Sequence, residues 1–429
     1  MRSPVLLIQE DKCRRVSENV EREVVILGGG YAGLMCALRL AGRTRKDPLR
    51  ITLVDRRDRF LERLRLHERL ANPDYVPPAR LPPLREVTAE FGCVFVQGEV
   101  RAIDRAGRRV TVETPQGTRH LCYSQLVIAL GSRVQTAVPG VERYAYVLET
   151  TGARGLSELK RRLRVFAGKK PHILVVGSGP MGIEAAAELS EFEGARVTIV
   201  GSGAFAAFAT PSVRTHLAEA LTRRGIEVRE ALTVTAVHID HIATDGGDLA
   251  YDLCLWCAGF AGPRLASDAG LETEADGRIR VDPYLRALCD AAVYAAGDAC
   301  LPVEWHGAPA RMSAFFALTT GAHVADVIGD CYKRKRPRPF GFWTYGQAIA
   351  IGREAVGFAT IPYDEQVGPV YRKRPGFHLR RFFVWLLARL IIIVGRLPWL
   401  PFWLGRGAYR RDLAHRYDSP ADSALRRAP

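Results

Sequence analysis

The sequence predicts an α/β protein that is built on two similar βαβ domains and ends in an apolar, arginine-bearing segment. Residues 23–33, EVVILGGGYAG, and residues 172–182, HILVVGSGPMG, are each an apolar strand that runs into a glycine turn. A helical stretch rich in Ala and Leu and a second β-branched strand follow each turn, which is the order of a βαβ unit. The charge is uneven as well: Tyr371–Pro429 has thirteen Arg and Lys against three Asp, so +10 of the formal +15 lies in the tail.

The length and the cysteines of the chain limit the number of domains and indicate the compartment. A chain of 429 residues can form two or three domains with cores of their own. The nine cysteines have no paired spacing, which predicts reduced thiols in the cytoplasm. We expect residues 1–22 to be a loose N-terminal extension, because their apolar patch, Val5–Ile8, is too short for a signal peptide. No stretch is long enough to span a bilayer.

The first glycine turn has the pattern of a dinucleotide site. In Gly28-x-Gly30-x-x-Gly33, the first glycine permits a tight turn, the second lets a pyrophosphate approach, and the third lets helix and strand pack closely. Asp55 ends the next strand, where a carboxylate accepts hydrogen bonds from ribose hydroxyls. The predicted binding residues also include the two that lie inside the turn, Tyr31 and Ala32.

The second turn, Gly177-x-Gly179-x-x-Gly182, repeats this pattern and predicts a second dinucleotide site. Gly201 follows its second strand, so the ribose carboxylate is absent there. No Arg or Lys between residues 201 and 210 offers to bind a 2′-phosphate either, which leaves the choice between NADH and NADPH open. The predicted binding residues inside this turn are Pro180 and Met181.

Two such turns make the chain resemble the pyridine-nucleotide flavin oxidoreductases over Glu23–Asp330. The resemblance implies two Rossmann-like dinucleotide-binding domains, with FAD at the first turn and NAD(P)H at the second. It also implies that the FAD domain is split around an inserted NAD(P)H domain. The predicted boundaries are 1–22 for the extension, 23–140 and 286–332 for the FAD domain, 141–285 for the NAD(P)H domain and 333–429 for the C-terminal region.

The same resemblance implies further site residues. Gly297-Asp298 ends the run Val-Tyr-Ala-Ala-Gly-Asp and places a carboxylate on the flavin ribitol in this family. Gly131 and Gly259 match the strand-end glycines of the two domains. Glu184 matches a glutamate that faces the nicotinamide and the flavin ring, which makes it the predicted catalytic residue. We predict no metal site.

The spacing of the cysteines narrows the choice of electron acceptor. Disulfide reductases of this superfamily keep a redox-active pair after the first turn or before the second, but Cys36 and Cys122 each lack a nearby partner. Cys254-x-x-Cys257 has a redox spacing, but it lies in a predicted strand, where residues three apart point to opposite faces. We therefore expect core thiols and no disulfide-reductase activity.

Within the superfamily the chain resembles the type II NADH dehydrogenases, which are single-chain NADH:quinone reductases, and their bacterial relatives. This resemblance implies a quinone acceptor and a membrane-seated C-terminal segment. The chain departs from the pattern at two glutamines of the quinone site, which correspond here to Phe315 and Thr319. His67 and the pair Trp305-His306 are candidates for the open face of the flavin. A single histidine of unknown placement is more often structural than catalytic, so we assign them no role.

The tail supports membrane binding independently. Residues 380–396 predict an amphipathic helix, on which Arg381, Arg389 and Arg396 lie within about 80° of one another. Such a helix lies in the headgroup plane, so we expect a peripheral protein on the cytoplasmic face of the membrane. Packing on the protein itself or on a homodimer partner is the alternative. Long Leu and Ile runs disfavour nucleic acid as the partner.

Two other functions stay open at this stage. One is a reductase of a small electron-carrier protein of the ferredoxin type, which the basic surface would attract. The other is a redox sensor that binds FAD with little turnover. The replaced glutamines and the missing ribose carboxylate leave room for the sensor.

Overall fold

The fold is described by a computed structural model at residues 22–72, 74–75, 79–150, 152–302, 310–341, 345–360, 366–400 and 402. Nearly all of the predicted N-terminal extension, the pair Trp305-His306 and the end of the tail from residue 403 lie outside the described residues.

The elements are as follows. The strands are, in chain order, β1 (Glu23–Leu27), β2 (Arg50–Asp55), β3 (Val94–Gln97), β4 (Glu99–Asp104), β5 (Arg109–Thr114), β6 (Gly117–Cys122), β7 (Gln125–Ile128), β8 (Arg133–Val134), β9 (Tyr146–Val147), β10 (His172–Val176), β11 (Arg196–Val200), β12 (Glu227–Arg229), β13 (Val234–Val237), β14 (His241–Thr244), β15 (Leu249–Ala250), β16 (Leu253–Trp256), β17 (Phe260–Ala261), β18 (Ile279–Val281), β19 (Arg286–Ala287), β20 (Asp290–Ala295), β21 (Cys300–Pro302), β22 (Tyr345–Ile351), β23 (Glu354–Thr360) and β24 (Gln366–Tyr371). The helices are α1 (Tyr31–Arg43), α2 (Leu84–Glu90), α3 (Val141–Tyr144), α4 (Leu156–Val165), α5 (Pro180–Leu189), α6 (Pro211–Thr222), α7 (Arg264–Asp268), α8 (Ala314–Tyr332) and α9 (Lys373–Arg396).

The larger sheet has the order β21-β18-β19-β20-β7-β1-β2-β3. Its strands from β20 to β3 are parallel, as two βαβ crossovers require. Helix α1 is buried at every residue from Tyr31 to Leu40, because it lies between this sheet and its neighbouring helices. A Cβ on Gly321 of α8 would lie 2.2 Å from the carbonyl oxygen of Ala32, so a glycine permits these two helices to pack closely.

The second sheet is parallel throughout, in the order β12-β11-β10-β16-β9. The mixed α/β class and the pair of Rossmann-like sheets are therefore as predicted. The strands β8 and β17, which flank the two crossings between the domains, pair antiparallel with each other. The chain rejoins the larger sheet at β18.

Three further sheets, each of three strands, are antiparallel. The sequence alternates in period two from Cys93 to Leu130, which predicts one small antiparallel sheet, but the segment is divided among sheets: β3 and β7 pair in the larger sheet, and only β4, β5 and β6 form a meander. The strands β13, β14 and β15 form the equivalent meander of the second domain. The third sheet, of β22, β23 and β24, follows the second passage through the FAD domain.

Helix α9 lies across β23 and along α1. It begins at Lys373, seven residues before the predicted start at residue 380, because Pro375 lies in the first turn, where its missing N–H breaks no intrahelical bond. A Cβ on Gly376 would lie 2.1 Å from the carbonyl oxygen of Ala355, so a glycine lets the helix lie directly on the sheet. In the part of the chain that the structure describes, no helix is long and apolar enough to cross a bilayer.

Candidate active site

The first glycine turn leaves open space at the start of α1. Gly28 has a φ of +103°, and a Cβ there would lie 2.3 Å from the carbonyl oxygen of Ala129. A Cβ on Gly33 would lie 1.8 Å from the carbonyl oxygen of Gly28, whereas one on Gly30 would meet no atom within 4 Å. Gly30 is the N-cap of α1 and supplies no side-chain cap, so the N–H groups of the helix start face this space. Such a space receives a dinucleotide pyrophosphate.

The predicted FAD residues meet at one edge of the larger sheet. Gly28, Gly131 and Gly297 follow the adjacent strands β1, β7 and β20, and Asp55 ends the next strand, β2. The Asp55 carboxylate accepts a hydrogen bond from the backbone N–H of Gly29 at 2.7 Å and another from that of Arg57 at 2.8 Å. Both oxygens keep lone pairs for a ribose, and their position is fixed by the turn itself.

Asp298 lies beside this turn. The Ser132 hydroxyl donates a hydrogen bond to its carboxylate at 2.7 Å. Burial raises the pKa of Asp298, and the Ser132 hydrogen bond and the charges of Arg63 and Arg278 oppose that rise. A Cβ on Gly297 would lie 3.0 Å from Cβ of Ala32, so Asp298 enters the site directly against α1.

Tyr31 adds an unsatisfied polar group. Its ring packs edge-on against Phe60 with centroids 4.9 Å apart, and its buried hydroxyl has no hydrogen-bond partner among the described residues. Burial raises the pKa of Tyr31, so the hydroxyl stays a neutral donor. An open helix N-terminus, two carboxylates at strand ends and an unpaired hydroxyl fit the phosphates, hydroxyls and polar ring atoms of FAD.

The second turn repeats the first in detail. Gly177 has a φ of +118°, and a Cβ on Gly182 would again lie 1.8 Å from the carbonyl oxygen of the first glycine. A Cβ on Gly179 meets no atom within 4 Å, and Pro180 begins α5. A Cβ on Gly201 would lie 2.5 Å from the Ser178 hydroxyl oxygen, so Ser178 fills the space beside the missing ribose carboxylate. Met181, the second residue of α5, is partly buried. Gly259 follows β16 with a φ of +71°.

Glu184 lies in a buried polar cluster where three parts of the chain meet. One of its carboxylate oxygens accepts hydrogen bonds from the backbone N–H of Ala350 at 3.0 Å and from Nη2 of Arg380 at 3.1 Å. The other oxygen lies 3.5 Å from Nδ1 of His67. Arg380 comes from α9 and also donates to the carbonyl oxygens of Leu64 and Ala348. The cluster therefore links the second domain to the C-terminal sheet and helix.

The hydrogen bonds of His67 fix its tautomer. Arg380 donates to Nε2 of His67 at 3.1 Å, and a guanidinium only donates, so Nε2 is the acceptor and Nδ1 carries the proton toward Glu184. Burial, with the Arg380 charge, lowers the pKa of His67 to about 3, which keeps the ring neutral. Burial raises the pKa of Glu184, and Arg380 opposes that rise. Burial and the neighbouring carboxylates raise the pKa of Glu188, one turn further along α5, to about 7.

Sequence reasoning did not identify Arg380 or His67 as site residues. Arg380 adjoins the predicted stripe of arginines but points to the opposite side of the helix and is buried. Glu184 is almost two hundred residues away in the sequence, so no local spacing indicates the pair. One signal was available: at 100° per residue, Arg380 falls on the apolar stripe of α9, where a charge needs a buried partner.

The two positions that correspond to the family glutamines, Phe315 and Thr319, carry no amide. Phe315 packs against the main core. Thr319 is buried, and its hydroxyl donates to the carbonyl oxygen of Phe316 at 2.9 Å.

The buried cysteines Cys36, Cys93, Cys254, Cys257 and Cys300 are free thiols. Cys36 and Cys93 are buried, and burial raises the pKa of the Cys93 thiol to about 12. Cys254 and Cys257 are both buried around β16, and burial raises the pKa of the Cys257 thiol to about 12. Thiols in this state are poor nucleophiles, so the described chain offers no reactive pair to a disulfide substrate.

Helix α9 has two distinct faces. Gly376, Arg380, Val384, Ala388 and Ile391 are buried against the protein. The opposite face exposes large apolar side chains and cations, and these are Phe382, Phe383, Trp385, Ile393, Arg381, Arg389 and Arg396. The guanidinium of Arg389 lies 5.3 Å from the ring centre of Trp385, and Arg396 donates to Glu90 at 3.1 Å. The helix thus packs on the protein and also keeps an exposed amphipathic face.

Comparison with known proteins agrees with this geometry. Residues 22–315 match the pyridine nucleotide-disulphide oxidoreductase family. The demethylphylloquinone reductase NdbB of Synechocystis sp. is 33% identical over 377 residues, which are 84% of this chain and 92% of that protein. A type II NADH:quinone oxidoreductase of Staphylococcus haemolyticus is 27% identical over 359 residues, 77% of this chain and 88% of that protein.

The fold is shared with solved structures as well. The structure of NDH2 from Plasmodium falciparum, in complex with NADH, superposes with a TM-score of 0.70 at 17% identity, over 90% of this chain and 99% of that chain. At this identity the likeness concerns the fold alone. With the family match, the two open glycine turns and the carboxylates around them, the chain belongs to the pyridine nucleotide-disulphide oxidoreductase family and is an oxidoreductase that uses FAD and NAD(P)H.

Proposed function

We propose that the chain passes electrons from NAD(P)H through FAD to a quinone at the surface of a membrane. The observation that carries this proposal is the combination of two open dinucleotide turns with the buried free thiols Cys36, Cys254 and Cys257, which offer no redox-active disulfide. Electrons that reach the flavin then need an acceptor from outside the chain. Relatives named demethylphylloquinone reductase and type II NADH:quinone oxidoreductase support a quinone as that acceptor.

Each group of residues has a defined task in this proposal. Bound FAD supplies the hydride-accepting chemistry, and the protein aligns the two ring systems. The N-termini of α1 and α5 hold the two pyrophosphates, and Asp55 and Asp298 hold hydroxyl groups of the flavin nucleotide. Glu184 faces the nicotinamide and the flavin ring, and it is held there by Arg380 and His67.

The proposed electron path is tested by anaerobic titration of the purified holoprotein. We expect NADH or NADPH to bleach the flavin absorbance and a short-chain quinone to restore it. Gly179→Glu places a negative charge where the second pyrophosphate lies, and its φ of −81° suits any residue. We expect this variant to keep its FAD and to need at least tenfold more nucleotide for bleaching, about 1.4 kcal/mol.

Gly30→Glu is the matched variant in the first turn, with a φ of −77°. It is expected to lose FAD rather than nucleotide affinity. Reduction of the flavin without reoxidation by any quinone would direct the search to a carrier protein of the ferredoxin type. A flavin that stays oxidised under both nucleotides would identify a sensor and reject the enzyme.

We infer that the outer face of α9 seats the protein on the membrane. Phe382 and Trp385 are 52% and 43% exposed, and they stand among arginines, a pattern typical of interfacial helices. Replacing both with serine is expected to weaken flotation with lipid vesicles at least tenfold, because each ring leaves its apolar surroundings. Ile239→Ser with Leu288→Ser, two exposed apolar residues elsewhere, is the matched control.

The same face could instead be covered by a second copy of the chain. Gel filtration without lipid separates the two occupants. A stable dimer that dissociates in the Phe382→Ser/Trp385→Ser variant, with vesicle binding unchanged, would replace the membrane by a homodimer interface.

A further inference from the structure

The C-terminal ends of α1, α8 and α9 converge on one edge of the molecule. A Cβ on Gly42 in α1 would lie 2.2 Å from the carbonyl oxygen of Gly395 and 3.2 Å from Cγ of Pro398. The Tyr332 hydroxyl at the end of α8 donates to the Asp47 carboxylate at 2.9 Å. Residues that are distant in the sequence thus form one continuous surface here.

Cations accumulate at this edge beyond what the helix ends use. Arg43 pairs with Asp326 at 3.0 Å, and Asp47 pairs with Arg22 at 2.8 Å. Lys333 donates to the carbonyl oxygen of Arg43. The cations that remain are exposed and have no carboxylate of the described residues within 4.0 Å, and they are Arg45, Lys46, Arg334 and Lys335. We call these four residues the basic edge.

An apolar anchor lies next to the basic edge. Trp399 is 72% exposed and Leu397 is 39% exposed. Their position is fixed because Pro398 packs on Gly42 and the carbonyl oxygen of Leu400 accepts a hydrogen bond from Arg39 at 3.3 Å. An exposed tryptophan beside uncompensated cations suits a surface that is apolar inside and anionic outside.

We propose that the basic edge binds anionic lipid headgroups, so that the protein selects membranes rich in negatively charged lipid. This inference rests on the proposed docking of α9 and adds to it the kind of lipid surface. Attraction to anionic headgroups falls off within a Debye length, so the four cations act only where Trp399 and Leu397 bring the edge to the surface. On the outer face of α9, the charge of Arg396 is compensated by its pair with Glu90.

The test compares vesicles of phosphatidylcholine with vesicles that contain about 30% phosphatidylglycerol, by flotation of the FAD-loaded full chain. We expect the wild type to prefer the anionic vesicles at least tenfold at low salt, and expect the preference to vanish at high salt. Lys46→Gln with Lys335→Gln should reduce binding to anionic vesicles about tenfold and leave binding to neutral vesicles unchanged. Arg119→Gln with Lys169→Gln changes the net charge equally at exposed sites elsewhere and is the control.

The outcomes separate this inference from the proposed function. Equal binding of the wild type and the Lys46→Gln/Lys335→Gln variant to anionic vesicles would overturn the basic edge alone, because α9 would still dock. Equal loss in the Arg119→Gln/Lys169→Gln control would also overturn it, in favour of net charge. Failure of the wild type to bind either vesicle would reject membrane docking itself, while flavin reduction by NAD(P)H would be unaffected.

Discussion

Replacing Asp326 with alanine is expected to lower the free energy of unfolding by about 3–5 kcal/mol. Arg39 is fully buried in α1, and it donates to both oxygens of Asp326 in α8, at 2.8 and 3.1 Å. Without the carboxylate, a guanidinium remains buried with only a carbonyl oxygen as a described partner. Burial and the charge of Arg43 already lower the pKa of Arg39 to about 10. Urea unfolding, followed by tryptophan fluorescence and by release of FAD, measures the loss.

The double variant Arg39→Met/Asp326→Leu is the informative comparison. It removes both charges and keeps apolar volume at the junction, so we expect it to be more stable than Asp326→Ala alone. Arg43 then keeps Asp330 as its partner. If the double variant were as unstable as the single one, the cost would come from lost shape at the α1–α8 junction rather than from an unpaired charge.

Arg380→Met is expected to slow reduction of the flavin by NAD(P)H about 10- to 100-fold, because Glu184 loses the guanidinium that holds its carboxylate. Arg380 is a positioning residue, because it touches Glu184, His67 and two backbone carbonyls, and Glu184 is the residue that we propose to face the reacting rings. Anaerobic stopped-flow bleaching of the flavin measures the rate. Bound FAD, measured by its absorbance, reports whether the variant is folded.

The pH profile distinguishes this role from a purely structural one. Burial raises the pKa of Glu184 and Arg380 opposes the rise, so removal of Arg380 raises the pKa further. The carboxyl group then takes up its proton at a higher pH, and the acidic limb of the rate profile should move to higher pH. Arg380→Lys should reverse much of this shift toward the wild-type profile, because the lysine keeps the positive charge beside Glu184.

Arg381→Gln is the matched control on the same helix. Arg381 is the next residue in the sequence, but it is exposed and lies over the ring of Phe377. We expect flavin reduction by this variant to equal that of the wild type. A rate loss of the same size in both variants would show that α9 acts through its packing and not through the charge at Glu184.

The glycine turns were predictable because their chemistry is local. A tight turn, a close helix approach and a strand-end carboxylate all follow from spacings of a few residues. In each turn a Cβ on the third glycine would lie 1.8 Å from the carbonyl oxygen of the first, so only a glycine fits there. The placements of Gly131 and Gly297 beside Gly28 followed from the resemblance, since sheet order brings together strands that are far apart in the chain.

The cluster around Glu184 was not predictable by such reasoning. Its members lie at residues 67, 184, 350 and 380, and each alone has an ordinary local context. The start of α9 was missed for a related reason: Pro375 and Gly376 are typical of a helix boundary, and only contact with β23 explains a glycine inside the helix. Tertiary packing decides both cases, and sequence spacing carries little information about it.

The close packing of α9 on α1 bears on the order in which the chain matures during synthesis. Helix α1 leaves the ribosome early, but its cover arrives with Gly321 of α8 and Gly395 of α9, about three hundred residues later. The strands of the second sheet are all present by residue 256. The inserted domain can therefore form its parallel sheet while the nascent FAD domain still exposes the apolar sides of α1. Its own core also waits for Ile349, Val356 and Phe358 of the C-terminal sheet. Translation must thus be nearly finished before the first domain to emerge can close.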